Sequence, residues 1–346
     1  MAKTAGRGKT HGRKRKGGIG RLAGALRPQC MNMLRGLQSV GAPVILMKLM
    51  YLILTAPCIA KQLRKHIDAL ELFAGERAIS EATLRAGRKA CSYDIVIDPV
   101  GNNIMGTVGW LCACVLTLKL KPGSQVNTAP VCSSWTWMNR ATSGRSAVFP
   151  LGNKHVKSVA VANAMVSRQV LLLYSWTAAG HFWMLEQPCG SLLEYHPRLQ
   201  QFLKEHKVYR TRVNLGDFGA ASQKPVWLYS NFKFITKLNG YCMAFGSWKH
   251  NGAEPLVSIK IKSNGQRAVI GKPGVLKASQ AYPKGFGEAV AQLYDDHVSE
   301  IMAYARARAQ EALHQQVNLS EVLNFDESSA PRHQDSHVRG ALCMRF

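Results

Sequence analysis

Between Ala69 and Asp98 an apolar strand, a turn through Gly75, a helix and a second strand follow one another directly. Leu70, Leu72 and Phe73 supply the first strand, and Ala78, Ile79, Ala82 and Leu84 recur at helical spacing. Gly87 stops the helix, after which Ala90, Cys91, Tyr93, Ile95, Val96 and Ile97 form a second apolar run interrupted by Asp94. Strands joined through a helix run parallel, so this unit restricts the chain to folds in which helices cover a parallel sheet. It also sets the carboxylate of Asp94 near a strand end and a glycine turn. A nucleotide-type ligand uses those parts: close backbone approach at the glycine and an acid for ribose hydroxyls.

The alternation continues downstream. Residues 107–118 are apolar all round and predict a buried helix, 119–124 a loop, and 125–129 a strand leading into Pro130, Val131 and Cys132. A polar and aromatic loop with Arg140 and Arg145 follows, then a helix over 156–179, a strand over 182–186 and a proline-interrupted helix over 191–204. Strands are expected over 208–215 and 226–229. Beyond Phe232, segments 256–262 and 266–270 flank Ser263, Asn264 and Gly265, the signature of a β-hairpin, here carrying Lys260, Lys262 and Arg267. An Ala-rich helix from Phe286 to about Gln316 closes the pattern. The fold class is therefore α/β, a doubly wound and mostly parallel sheet with a small hairpin and helical extension. The expected divisions are a leader (1–60), the α/β domain (61–230), the hairpin and helix (231–326) and a polar tail (327–346).

The stretch Glu71-Leu72-Phe73-Ala74-Gly75, followed by a helix and an acidic strand end, resembles the first motif of class I S-adenosylmethionine-dependent methyltransferases, with a Rossmann-like fold. Among these it is most similar to the cytosine-C5 DNA methyltransferases, whose opening motif is F-x-G-x-G; Arg77 stands here in place of the second glycine. The resemblance implies S-adenosylmethionine over Phe73 and Gly75, with Asp94 near the ribose. The family's Pro-Cys turn is matched by A-P-V-C-S-S-W, which makes Cys132 the nucleophile that would attack C6 of the base. The family's E-N-V glutamate is matched by Glu186 in L-E-Q-P, holding the N3 edge of the base, with Gln187 and Pro188 departing from the pattern. A third stretch aligns through Gly219 and Gln223, without the family's arginines but with Lys224 beside it. The order Gly75, Asp94, Cys132, Glu186, Gln223 covers roughly residues 69–230. A free thiol needs a nearby cation or dipole to ionise, and Arg140 and Arg145 are the candidate sources.

The formal charge of +25 favours a polyanion as partner, because Lys and Arg release counterions when they neutralise phosphates. Nucleic acid is the leading candidate, DNA ahead of RNA, contacted through Arg140, Arg145, Gln223 and Lys224. Trp135, Trp137 and Trp183 offer stacking faces. Much of the charge lies in the first 28 residues, and no acid precedes Asp68. The run Arg13, Lys14, Arg15, Lys16 reads as a nuclear-localisation patch, with an organelle transit peptide as the alternative. Residues 42–60 are apolar but interrupted by Lys48 and closed by Pro57, short of a membrane span; they read as part of the leader or as a buried helix. The nine cysteines lack zinc-ligand spacing, so no metal is expected. Three functions fit these features: a nucleic-acid methyltransferase, a nucleic-acid-binding protein on a degenerate methyltransferase fold, and a methyltransferase acting on a protein or small molecule.

Overall fold

Strand β4 (Phe182–Pro188) shows how the sheet is built. Its side chains alternate, Trp183 and Leu185 entering one apolar cluster and Phe182 and Met184 another, so both faces of the sheet are buried. The computed structural model describes residues 28–60, 63–220, 222–239, 257–261, 263–265, 267–271 and 279–323. The basic segment 1–27, the tail after Asp326 and Lys262 lie outside the described residues.

In chain order the elements are α1 (Pro28–Ser39), α2 (Val44–Thr55), a short α3 (Pro57–Ala60), β1 (Ile67–Leu72), α4 (Ala78–Arg85), β2 (Ala90–Tyr93), α5 (Thr107–Lys119) and β3 (Leu120–Thr128). There follow a short α6 (Arg140–Ser143), α7 (Lys157–Ala178), β4, α8 (Pro197–Glu205), β5 (Tyr209–Asn214) and β6 (Pro225–Ser230). The hairpin strands β7 (Val257–Ile261) and β8 (Arg267–Gly271), then α9 (Lys284–Asp296), α10 (Val298–Leu313) and α11 (Leu319–Leu323) complete the described chain. The six-stranded sheet has the order β2-β1-β3-β4-β6-β5. All pairings from β2 to β4 are parallel, whereas β6 runs antiparallel between β4 and β5. The expected α/β, Rossmann-like, mostly parallel architecture is what the chain adopts.

One face of the sheet carries Leu70, Leu72, Val126, Trp183 and Leu185 against buried residues of α1, α2, α5 and α7. The indole N–H of Trp176 donates to Thr117 Oγ1 at 3.1 Å and that of Trp183 to Thr177 Oγ1 at 3.0 Å, whereas the buried indole N–H of Trp135 has no hydrogen-bond partner. The opposite face carries Phe182, Met184, Val226 and Leu228 against Ile79 of α4 and Phe286, Val290 and Leu293 of α9.

Several boundaries differ from the sequence reading. The apolar segment 42–60 is a buried helix and not a leader: Leu46, Met47, Met50, Ile53 and Leu54 of α2 and Leu34 and Leu37 of α1 lie inside the core. The fold thus begins by residue 28, because the sheet face beneath these helices would otherwise be wet. Among the described residues no helix is long and apolar enough to cross a membrane. Strand β2 stops at Tyr93, and the apolar run beyond Asp94 turns outward, leaving Ile95, Val96 and Ile97 exposed, Val96 to 83%. Of the expected loop 119–124, Lys119 ends α5 and residues 120–124 form the start of β3, with a register shift against β1 between Ile67 and Ala69. The long C-terminal helix breaks at His297 into α9 and α10.

A chain beginning at residue 61 should therefore lose its cooperative thermal transition, monitored by circular dichroism. In the full chain, Leu37→Ala, which empties a fully buried position, should cost about 2–5 kcal/mol in denaturant unfolding.

Candidate functional site

Parallel strands β1, β3 and β4 end on one edge of the sheet, and β2 and β3 leave β1 on opposite sides. Open α/β sheets bind ligands at such a reversal, outside the carboxyl ends of the strands. Because β6 runs antiparallel to β4, pairing Val226 with Pro188, its beginning also comes to this edge. Phe73 to Arg77, Asp94, Cys132, Glu186 and the Gln223-Lys224 pair are thereby gathered from distant parts of the chain.

The turn after β1 is held by β2. Phe73 N–H donates to Tyr93 O at 2.8 Å, and Gly75 N–H donates to Asp94 Oδ2 at 3.0 Å. The other oxygen, Asp94 Oδ1, accepts from Val96 N–H at 2.8 Å. Phe73, Gly75 and Arg77 all have left-handed backbone, at φ 57°, 49° and 57°. A Cβ built on Gly75 meets nothing within 4 Å, so the turn lies open on that side. Arg77, which stands where the motif it resembles has a second glycine, adopts a glycine-like backbone conformation despite its side chain. Left-handed backbone costs a non-glycine residue roughly 1 kcal/mol, and the exposed Arg77–Glu81 ion pair at 3.5 Å offsets little of it.

Behind the turn lies a buried polar layer. Glu71 projects from β1 to the first turn of α4, where its Oε2 accepts from Ser80 N–H at 2.7 Å and its Oε1 from Ile79 N–H at 3.4 Å. Burial nevertheless pushes its carboxyl pKa up. Asn127, paired in register with Glu71 and with Met184, has both side-chain polar atoms buried without a hydrogen-bond partner. Glu186 is only 4% exposed. Its Oε2 accepts from the Tyr282 hydroxyl at 3.2 Å, while Oε1 has no hydrogen-bond partner and lies 3.9 Å from Lys224 Nζ. Burial raises the Glu186 pKa, opposed by the Lys224 charge and the Tyr282 hydrogen bond.

Cys132 is half-buried in the turn after β3, and its carbonyl accepts from Trp135 and Thr136 N–H at 2.8 and 3.1 Å. Burial raises its thiol pKa, the Glu186 carboxylate raises it further, and Lys224 opposes both. The Tyr282 phenol is in turn raised by burial and by Glu186, Glu71 and Cys132. Cys132, Glu186, Lys224 and Tyr282 thus lie near enough at the carboxyl edge of the sheet for their charges to act on one another. Gln187 ties the Cys132 turn to the turn after β4, its Nε2 donating to Pro130 O at 2.7 Å and its Oε1 accepting from Ser191 Oγ at 2.9 Å. Among the described residues no cluster of His, Cys, Asp and Glu is suited to a metal ion.

The structure reassigns the arginines and tryptophans. Arg145, expected to meet nucleic acid and to ionise the thiol, is 2% exposed. Its guanidinium lies 3.4 Å from the centre of the Trp135 ring and donates to Ser134 O and Oγ, Pro150 O, Asn163 Oδ1 and Val159 O. Burial lowers its pKa to about 10, so it stays charged at neutrality and bolts the loops around the site. The cation facing Cys132 is Lys224, placed by the sequence reading among the nucleic-acid contacts. Arg140 is exposed, and Gln223 is half-buried with its carbonyl accepting from Gly216 N–H at 3.3 Å. Trp135 and Trp183 are buried in the core; Trp137 is 50% exposed.

Glu71, Gln187 and Tyr282 are the site residues that the sequence reading missed. Glu71 had a signal, an acid within an otherwise apolar strand that must be buried on both faces. Tyr282 lies far along the chain from every motif and reaches Glu186 only through tertiary packing. No protein-family model matches this chain, and no curated protein matches it.

Arg77→Gly should raise stability by about 0.5–1 kcal/mol in denaturant unfolding, through relief of the left-handed strain. The buried carboxyls predict a pH dependence with a definite sign. Groups whose folded pKa is raised bind protons more tightly when folded, so their contribution to stability is present at low pH and is lost as pH rises through the folded pKa. Above the ordinary glutamate range, Glu71 and Glu186 should make the melting temperature decline toward neutral pH. Glu186→Gln should flatten that decline, as read from melting curves across pH.

Proposed function

We propose that this protein transfers methyl groups from S-adenosylmethionine to nucleic acid, at cytosine C5, with Cys132 as nucleophile and Glu186 as the acid that holds the base. The observation that carries the reading is Glu186: a buried carboxyl with one unpartnered oxygen, a raised pKa, and Cys132 and Lys224 in its electrostatic surroundings. Polar atoms buried without hydrogen-bond partners at the carboxyl edge of such a sheet call for a ligand that supplies them.

The chemistry follows from these groups. A neutral Glu186 can donate its proton to N3 of cytosine while its other oxygen accepts from the exocyclic amine. Attack of the Cys132 thiolate on C6 forms a C–S bond and moves the C5=C6 electron pair onto C5, and the proton at N3 offsets the charge that develops in the ring. Lys224 favours the thiolate form of Cys132, opposing the burial that disfavours it. S-adenosylmethionine, when bound, would supply the methyl group that C5 takes, its sulfonium leaving as the thioether of S-adenosylhomocysteine. Transfer of the C5 proton to water then restores the double bond and expels the Cys132 thiolate, and the N3 proton returns to Glu186. The chain's own residues fit it through the open side of Gly75, the Asp94 carboxylate beside that glycine and the exposed apolar surface of Ile95 and Val96. The target base must leave its stack to reach a carboxyl this deep.

One observation favours the competing reading, nucleic-acid binding without catalysis: the Cys132 thiol is shifted away from ionisation. A single assay separates the two. Labelled methyl transfer to cytosine-containing DNA and RNA should be abolished in Cys132→Ser, with cofactor affinity preserved in calorimetry. Glu186→Gln should slow transfer on the order of a hundredfold. A C5-fluorinated cytosine should trap a covalent adduct with Cys132. Transfer without that adduct, or undiminished in Cys132→Ser, would overturn the C5 mechanism, and absence of cofactor binding by the folded protein would favour the non-catalytic reading.

A further inference from the structure

The surface beside the proposed site carries groups that its chemistry does not use. Trp137, half exposed, is fixed by backbone pairing: its N–H donates to Gly190 O at 3.1 Å, and Thr136 forms an isolated bridge with Ser191. Its indole lies against Gly190, where an added Cβ would come within 2.6 Å of the ring. Glycine at that position therefore lets the ring settle on the backbone after β4, with half of the side chain still exposed. The ring is held between the Cys132 turn and the end of β4. Ordinary burial does not explain a rigid tryptophan with half its surface in water.

The segment that carries Trp137 is basic. Between Asp98 and Glu186 the sequence contains no Asp or Glu, while Arg140, Lys154 and Lys157 are exposed within it. Val131, Met138, Val148 and Phe149 are exposed as well, Phe149 at the edge of a shallow apolar recess that also includes Lys154 and Pro197. Arg145 locks this surface together, one guanidinium bonding Ser134 near Trp137 and Pro150 beside Phe149. Exposed aromatic side chains interleaved with cations, on a rigid base and in a segment without acids, match a strand whose bases are unpaired: the rings stack on bases of any sequence and the cations track phosphates. A duplex keeps its base faces covered and offers Trp137 nothing to stack on.

We infer that the rim around Trp137 binds single-stranded nucleic acid, stacking a nucleotide next to the target base on the indole while Arg140 and Lys154 contact the flanking phosphates. This rests on the site proposed above as the place where the target base enters, but its test does not require catalysis. Fluorescence anisotropy with the full chain would compare a labelled cytosine-containing single-stranded DNA, the same sequence as RNA, and the blunt DNA duplex, with melting curves to confirm folding of each variant. A single strand, DNA or RNA, should bind at least about tenfold more tightly than the duplex. Trp137→Ala should weaken single-strand binding by about tenfold or more, Trp137→Phe should restore most of it, and neither should change duplex binding. Lys154→Ala should reduce the slope of log affinity against log salt by about 0.7. Equal affinity for duplex and single strand, or a Trp137→Ala protein within twofold of wild type, would overturn the inference. Single-strand preference in a protein that transfers no methyl group would uphold the inference and refute the proposed chemistry. Methyl transfer to duplex with a KM unmoved by Trp137→Ala would do the reverse.

Discussion

A sheet whose strands run mostly parallel must be covered on both faces, and the rest of this structure depends on that requirement. The alternation of Trp183 and Leu185 with Phe182 and Met184 on β4 sends apolar groups both ways. One face is roofed by α5 and α7 together with α1 and α2, the other by α4, α9 and α10. Helices from the two ends of the chain even meet, Arg308 of α10 donating to Ser39 Oγ of α1 at 2.7 Å. Burial at roughly 25 cal/mol per Å² makes such roofing the dominant favourable term in folding.

The antiparallel strand β6 adds what a wholly parallel sheet cannot. A parallel strand would begin at the opposite edge and take Lys224 away from Glu186. Inserted between β4 and β5 in the reverse sense, β6 starts at the carboxyl edge and brings an ammonium to 3.9 Å from Glu186. That one charge opposes burial at both Glu186 and Cys132, the two groups whose reactivity depends on protonation state.

Stability and function pull apart at this edge. Glu71, Asn127 and Glu186 occupy positions on the sheet face that apolar residues would fill more favourably, and Asn127 and Glu186 carry buried atoms without partners. Natural folds break the rule of buried-polar satisfaction mainly where a ligand completes the set. The surrounding loops are held correspondingly hard, by Arg145 against Trp135 and by Gln187 between Pro130 and Ser191. The arginine that sequence reasoning placed at the surface serves that purpose because a planar guanidinium can satisfy several carbonyls at once.

Local pattern was sufficient to read the alternation of strands and helices, the turn at Gly75, and the placement of Asp94 and Cys132 after successive strands and of Glu186 near the end of another, because periodicity and turn chemistry act over a few residues. It misjudged Ile95, Val96 and Ile97, whose apolar character suits a strand but whose backbone is turned outward by Asp94 accepting from Val96 and Gly75. The long apolar run of α2 read equally well as leader or core, since hydropathy reports the wish to leave water and not the surface that receives it. Whether Arg145 met solvent or Trp135, whether Lys224 or an arginine faced the thiol, and that Tyr282 would close over Glu186 were decided only by the tertiary structure. Each depends on groups far apart in the chain, and a charge or hydroxyl acquires its partner, and so its pKa, only when packing removes the water between them.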